Sequence, residues 1–217
     1  MIRAVLFDLD GTLIDTNKLI MDSFKKAFKE ILDIEPPEEE IAMLFGRPLV
    51  QTLGQYSEER VDDLVKTYRD YNESNHDNMC NAFEGVKEML IQLKDMGIKT
   101  GIVTSKRASL AKRGMEISGI LNLMDVIITP ESTEKHKPDA EPALKACEVL
   151  NIKPSEAIMV GDATYDILCG KGAGCKTIGV KYTAIPLDEL KQASPDYFID
   201  EPMDVIQILK ELKENIA

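Results

Sequence analysis

The stretch FDLDGT places Asp8 and Asp10 two residues apart where the apolar run from Ala4 to Phe7 ends, at the point where a buried strand should be finishing. Two residues of extended chain turn both carboxylates to one side, about 6 to 7 Å apart. Thr104 closes another apolar run in VTSK, Asp162 and Asp166 follow a third in VGDATYD, and Lys137 lies in the loop segment HKPD. Four carboxylates in a partly buried cleft repel one another prohibitively unless a cation is present. A donor set made of oxygen, without His or Cys, points to a hard ion. Few carboxylates with room for water and substrate oxygens suit Mg²⁺ better than Ca²⁺. Lys137, biased to an extended backbone by Pro138, adds a fixed positive charge.

A divalent cation, a lysine, a hydroxyl and a spare carboxylate suit phosphoryl transfer. Phosphate monoesters resist hydrolysis strongly, and covalent catalysis through a carboxylate divides the reaction into two easier displacements. In this reading Asp8 attacks phosphorus, while Lys137 and Mg²⁺ offset charge on the phosphoryl oxygens and Thr104 donates a hydrogen bond to one of them. Asp10 protonates the leaving oxygen and then activates the water that hydrolyses the aspartyl-phosphate.

Elements that could position these groups are visible in the pattern. Runs rich in β-branched residues at Ala4 to Phe7, Lys99 to Val103, Val126 to Ile128, Ala157 to Val160, Lys176 to Val180 and Tyr197 to Ile199 predict strands. Helical patterns alternate with the later ones. In GVKEMLIQLKDMG, Val86, Met89, Leu90 and Leu93 fall on one helical face and Gly97 stands where a helix ends. Further helices are expected after Lys106, from about Asp139 to Leu150, after Asp162, and from roughly Pro202 to Leu212. The alternation calls for an α/β fold with a parallel sheet covered on both faces, whose ligands bind beyond the carboxyl ends of the strands. The rhythm breaks between residues 15 and 83. There Ile20, Phe24, Ala27, Phe28 and Ile31 form one helical stripe, and Val61, Leu64, Val65, Tyr68 and Tyr71 form another. That segment is expected to be an all-helical insertion into a core made of residues 1–14 and 84–217.

The chain has 217 residues, of which 44 % are hydrophobic and 29 % charged, and it contains no apolar run approaching a membrane span. Its net charge of −12 argues against a nucleic-acid backbone or an anionic membrane as partner, and requires local cations for any anionic substrate. The N-terminal apolar stretch is short and runs into acidic residues, unlike a signal peptide, so a cytoplasmic location is expected. Cys80, Cys147, Cys169 and Cys175 lack the spacing of a zinc site or disulfide framework and read as free thiols. His76 and His136 offer little for histidine chemistry. The glycines of GKGAG shape a helix end and lack a P-loop's spacing. Gly11 permits the tight turn leaving the first strand, and Ser105 supplies a backbone N–H; both are assigned with Arg47 to substrate binding.

FDLDGTLIDT, GIVTSK, HKPDAEP and VGDATYDILCGKGAG stand in the order and at the spacing of the four motifs of the haloacid dehalogenase superfamily, which the chain resembles over nearly its whole length. The resemblance implies a Rossmann-like core, Asp8 as nucleophile, Asp10 as acid and base, and Mg²⁺ held by Asp8, the Asp10 backbone carbonyl and Asp162. Asp166 would support the metal indirectly or through water. A second acid in the first motif is similar to phosphatases and mutases and unlike dehalogenases.

The helical insertion resembles the small cap of phosphoglycolate phosphatases, β-phosphoglucomutases, phosphonoacetaldehyde hydrolases and certain small pyrophosphatases. Such caps close over substrate and carry much of the selectivity. Within it LFGRPLVQ is expected to be a specificity loop, with Arg47 contacting a second anionic group. Arg47 stands where phosphonoacetaldehyde hydrolysis would need a lysine.

The expected activity is Mg²⁺-dependent hydrolysis of a small phosphorylated metabolite, a phosphoglycolate-like monoester first and inorganic pyrophosphate next. The other readings are a hexose-phosphate mutase and, from a different class, a non-catalytic phospho-ligand sensor. The intact set of Asp8, Asp10, Lys137 and Asp162 argues against the sensor. The expected assembly is a monomer or homodimer.

Overall fold

A computed structural model describes residues 1–214. Six strands form one parallel sheet: β1 (Ala4–Phe7), β4 (Lys99–Val103), β5 (Val126–Ile128), β6 (Ala157–Gly161), β7 (Lys176–Val180) and β8 (Tyr197–Ile199), in the order β5-β4-β1-β6-β7-β8. β1 is central, with Phe7 in register with Ile102 on one side and Val160 on the other. All four of its residues are buried, which is why its sequence reads as a continuous apolar run instead of alternating.

Alternate residues of β1 serve opposite faces. Val5 and Phe7 pack with α5 (Val86–Asp95), α6 (Ala108–Ile117) and α10 (Asp204–Glu214). Ala4 and Leu6 pack with α7 (Glu141–Leu150) and Cys169 of α8 (Thr164–Ala173). A short helix that the sequence pattern does not predict, α9 (Leu187–Gln192), covers α8 through Leu190.

Residues 15–83 depart from the all-helical expectation at both ends. β2 (Ile14–Asp15) and β3 (Asn81–Ala82) pair antiparallel, Ile14 with Ala82 and Asp15 with Asn81. Two-residue strands have too little length for any periodicity to show. Between them lie α1 (Asn17–Leu32), α2 (Glu38–Ala42), α3 (Leu49–Gly54) and α4 (Val61–Asn75). These helices have their own apolar centre, in which Phe24 meets Tyr68 edge-on with ring centroids 4.8 Å apart. Ala163 and Ile185, from the loops after β6 and β7, pack into that same centre. The helices are thereby seated over the carboxyl ends of the strands.

Candidate active site

Three neighbouring strands deliver the central groups. Asp8 directly follows β1, Thr104 follows β4 and Asp162 follows β6. The sheet continues one residue past the strands here: the Asp8 N–H donates to the Val160 carbonyl at 2.9 Å and the Thr104 N–H to Ile128 at 3.0 Å. Asp8 and Thr104 are therefore held by backbone pairing as well as by packing.

Asp166 lies in the first turn of α8, where its Oδ2 accepts the Ala163 N–H at 3.0 Å. Carboxylates are favoured near a helix N-terminus. Its close approach to the strand end requires glycine at 161, since a Cβ there would lie 2.2 Å from that of Asp166. Gly11 plays a similar part. With φ at +79° it turns the chain away from β1, and a Cβ would meet Asp162 Oδ2 at 2.3 Å.

Lys137 reaches in from the loop before α7 and donates to Asp8 Oδ1 and to Asp166 Oδ1, both at 2.6 Å. All three side chains are buried. Carboxylate oxygens of Asp8, Asp162 and Asp166 lie within 4.8 Å of one another. One ammonium among three carboxylates leaves an excess of buried negative charge, and the titration behaviour reflects it. Burial, opposed by Lys137 and reinforced by Asp166, pushes Asp8 up to about 7. Burial and the charges of Asp166 and Asp8 hold Asp162 well above the ordinary carboxylate range. Burial alone would lower Lys137, but Asp166 and Asp8 overcome it and keep its ammonium charged. An all-oxygen site with surplus negative charge fits a hard divalent cation such as Mg²⁺. Asp166 has one oxygen on the Lys137 ammonium and the other on the Ala163 N–H, whereas Asp8 has only Oδ1 engaged and Asp162 meets hydroxyls alone, so Asp8 and Asp162 are the freer ligands.

Asp10 borders the same cavity as Asp8, but its side chain has other partners. Its carboxylate is not part of the three-carboxylate group; its Oδ1 accepts from Lys106 Nζ at 2.7 Å and from the Thr16 hydroxyl at 2.7 Å. The alternation that would aim it alongside Asp8 applies to a regular strand, and Asp10 makes only an isolated bridge with Ile14. Any contact of Asp10 with a metal would be through its backbone.

A cavity of about 190 Å³ opens above these groups. Its floor carries Asp8, Asp10, Thr104, Ser105, Lys106, Lys137 and Asp162, and its roof includes Arg47 and Arg69. Gly11, assigned to substrate binding from sequence, is not among the residues lining it, and its N–H donates to the Ile14 carbonyl at 2.9 Å. The Thr104 hydroxyl accepts the Lys106 N–H at 3.1 Å while bordering the cavity.

Sequence reasoning missed several supporting residues. Thr183 donates to Asp162 Oδ2 at 3.0 Å, and Thr12 approaches its Oδ1 at 3.4 Å. Thr16 and Lys106 hold Asp10. Thr12 and Thr16 lie within the FDLDGTLIDT stretch and Lys106 within VTSK, so proximity to a motif was an available signal. Thr183 had none. His76 is buried away from the cavity, and all four cysteines are free and buried.

Comparison with known proteins agrees with this architecture. The family description "Haloacid dehalogenase-like hydrolase" matches residues 5–180. A Clostridium perfringens protein named "Putative pyrophosphatase PpaX" is 54 % identical over 98 % of this chain and 99 % of its own. A "Pyrophosphatase PpaX" of Bacillus cereus is 36 % identical over 99 % of each chain. Among solved structures, a predicted phosphatase from Clostridium acetobutylicum is 29 % identical, with a TM-score of 0.84 over 99 % of each chain. The strand-end carboxylates, their lysine and the helices above them are thus those of a chain that belongs to the haloacid dehalogenase-like hydrolases.

Proposed function

We propose that this protein is a Mg²⁺-dependent phosphohydrolase of small phosphorylated substrates, acting through an aspartyl-phosphate on Asp8, with inorganic pyrophosphate as its substrate. The observation that carries the reading is the contact of Lys137 with Asp8 at the floor of a cavity whose roof carries arginines. An anionic substrate can place one phosphoryl group at Asp8 and a second anionic group under Arg47.

Asp8 and Asp162 would hold the metal, which when bound would offset charge on the transferred phosphoryl group. An Asp8 carboxylate oxygen attacks phosphorus and the bond from phosphorus to the bridging oxygen breaks, so that the first phosphate leaves with the electron pair. Lys137 keeps the attacking carboxylate oriented, and the Thr104 hydroxyl faces the transferred group. In the second step Asp10 takes a proton from water as the water oxygen attacks phosphorus. The aspartyl oxygen–phosphorus bond breaks, the second phosphate is released and the Asp8 carboxylate is regenerated. The helices above the sheet act as a cap that excludes bulk water.

Two observations move pyrophosphate ahead of the phosphoglycolate-like monoester expected first from sequence. The relatives matching nearly the whole chain are named pyrophosphatases. Asp10 also accepts two hydrogen bonds at one oxygen, from the Lys106 ammonium and the Thr16 hydroxyl, so that oxygen is engaged as an acceptor. A departing phosphate is stable without taking a proton from Asp10, whereas an alkoxide leaving a monoester needs one.

The test is phosphate release from pyrophosphate, phosphoglycolate and an aryl phosphate with Mg²⁺, repeated with Asp8→Asn. Pyrophosphate is expected to give the highest kcat/KM, and Asp8→Asn to abolish release from all three. Preference for phosphoglycolate would replace the substrate while keeping the chemistry; full activity of Asp8→Asn would remove the nucleophile.

A further inference from the structure

The charges around the cavity leave two roof arginines without partners. On its floor, Lys137 is paired with Asp8 and Asp166, and Lys106 with Asp10. At its side, Arg107 is paired with Glu73 of α4. Arg47 and Arg69 form no ion pair among the described residues, although both line the cavity and both are half-buried.

Arg69 had an acid within reach along its own helix. Glu73 is four residues on, the spacing at which oppositely charged side chains of a helix meet. Glu73 instead crosses to Arg107, at the start of α6, and leaves the Arg69 guanidinium to the cavity. The helix segment carrying it is well fixed. Tyr68 packs edge-on against Phe24 with centroids 4.8 Å apart, and the Asn72 amide donates to the Ser23 hydroxyl at 3.2 Å. Two half-buried guanidiniums line one small cavity and neither is paired with a carboxylate, so an anion reaching both would gain two charge-assisted contacts. A guanidinium fork matches two oxygens of a phosphoryl group.

We propose that Arg69 is a specificity-determining residue that, together with Arg47, grips the phosphoryl group of the substrate that is not transferred to Asp8. This inference rests on the phosphohydrolase reading above and extends it to a residue of α4 outside every motif of the sequence. It assigns the substrate class as a compact molecule with two anionic groups, one at Asp8 and one under the two arginines.

The experiment compares wild type, Arg69→Gln and Arg69→Lys in steady-state hydrolysis of pyrophosphate and of p-nitrophenyl phosphate, which has no second anionic group. Arg69→Gln is expected to lower kcat/KM for pyrophosphate roughly 10- to 100-fold, chiefly through KM, as the loss of a charge-assisted hydrogen bond predicts. The loss on p-nitrophenyl phosphate should be far smaller, and Arg69→Lys should recover part of the pyrophosphate activity. Equal effects on the two substrates, or no effect on either, would overturn the inference while leaving the enzyme a pyrophosphatase. A wild type that turns over p-nitrophenyl phosphate but not pyrophosphate would overturn the substrate reading, and this inference with it. Melting temperatures of the variants identify any loss caused by misfolding, and a loss on both substrates with an unchanged melting temperature counts against the inference.

Discussion

Lys137 Nζ lies 2.6 Å from Asp8 Oδ1 inside the protein, with both side chains almost wholly shielded from water. The same ammonium reaches Asp166, so one cation offsets part of the charge of a group of three carboxylates. Removing it leaves buried carboxylates with no cationic side chain beside them. For Lys137→Met, urea unfolding of the metal-free protein near neutral pH should show a loss of about 3–5 kcal/mol, the range for breaking a buried ion pair from one side. A loss below about 1 kcal/mol, the scale of an exposed pair, would mean that the carboxylates are relieved in another way.

Thr183 acts on the proposed metal through Asp162. Its hydroxyl donates to Asp162 Oδ2 at 3.0 Å while accepting the Ile185 N–H at 3.0 Å, which fixes the hydroxyl's direction. Groups that orient a metal-binding carboxylate commonly contribute about 10- to 100-fold in metal affinity. Thr183→Val should therefore weaken Mg²⁺ binding about tenfold by calorimetry without substrate, and Thr183→Ser should retain it. Equal affinity in Thr183→Val and wild type would show that Asp162 needs no such support.

These two residues mark the line between what is legible in the chain and what is not. Lys137 can be placed at the site from the residue types at strand ends, because a parallel sheet gathers those ends along one edge whatever the connections do. The six strands of the parallel sheet are legible to within one residue, since each is a short, largely apolar run carrying β-branched or aromatic residues. Thr183 contacts a residue 21 positions away, through a loop with no periodic signal. The direction of Asp10 is hidden for a related reason. The pleat predicts where a side chain points only while the chain stays extended and paired, and beyond Phe7 it turns at Gly11. The partners Lys106 and Thr16 then decide the direction of its carboxylate.

His76 gives the protein an acid sensitivity separate from its carboxylates. Its ring is fully buried, Nε2 has no hydrogen-bond partner among the described residues, and Asp77 lies 3.4 Å from Nδ1. Burial and the charge of Lys106 lower its affinity for a proton more than Asp77 and Asp10 raise it, so it falls below the ordinary value of 6.5. The unfolded chain then binds a proton below about 6.5 that the folded chain refuses. Stability is complete above that pH and is lost as pH falls through the range below it. Melting temperatures between about pH 7 and 5 should drop more steeply for wild type than for His76→Leu. Their difference isolates His76 from the titrating carboxylates, and parallel curves would show that the imidazole accepts its proton without penalty.

Two glycines separate a conformational cost from a cost at the site. Gly97 has φ at +71° with nothing within 4 Å of where a methyl would stand, so Gly97→Ala meets only the left-handed backbone penalty of roughly 1–2 kcal/mol. Phosphate release should be unchanged, because the residue follows α5 far from the cavity. Gly161 has no positive φ, but a methyl there would lie 2.2 Å from the Asp166 Cβ and 2.4 Å from its Oδ2. Gly161→Ala must push the first turn of α8 away from β6 and carry Asp166 off Lys137. Overpacking of this kind costs about 1–3 kcal/mol. The two variants are therefore expected to lose similar stability in urea unfolding while only Gly161→Ala loses phosphate release from pyrophosphate. Equal activity in the two would show that α8 can shift without disturbing the contact between Lys137 and Asp8.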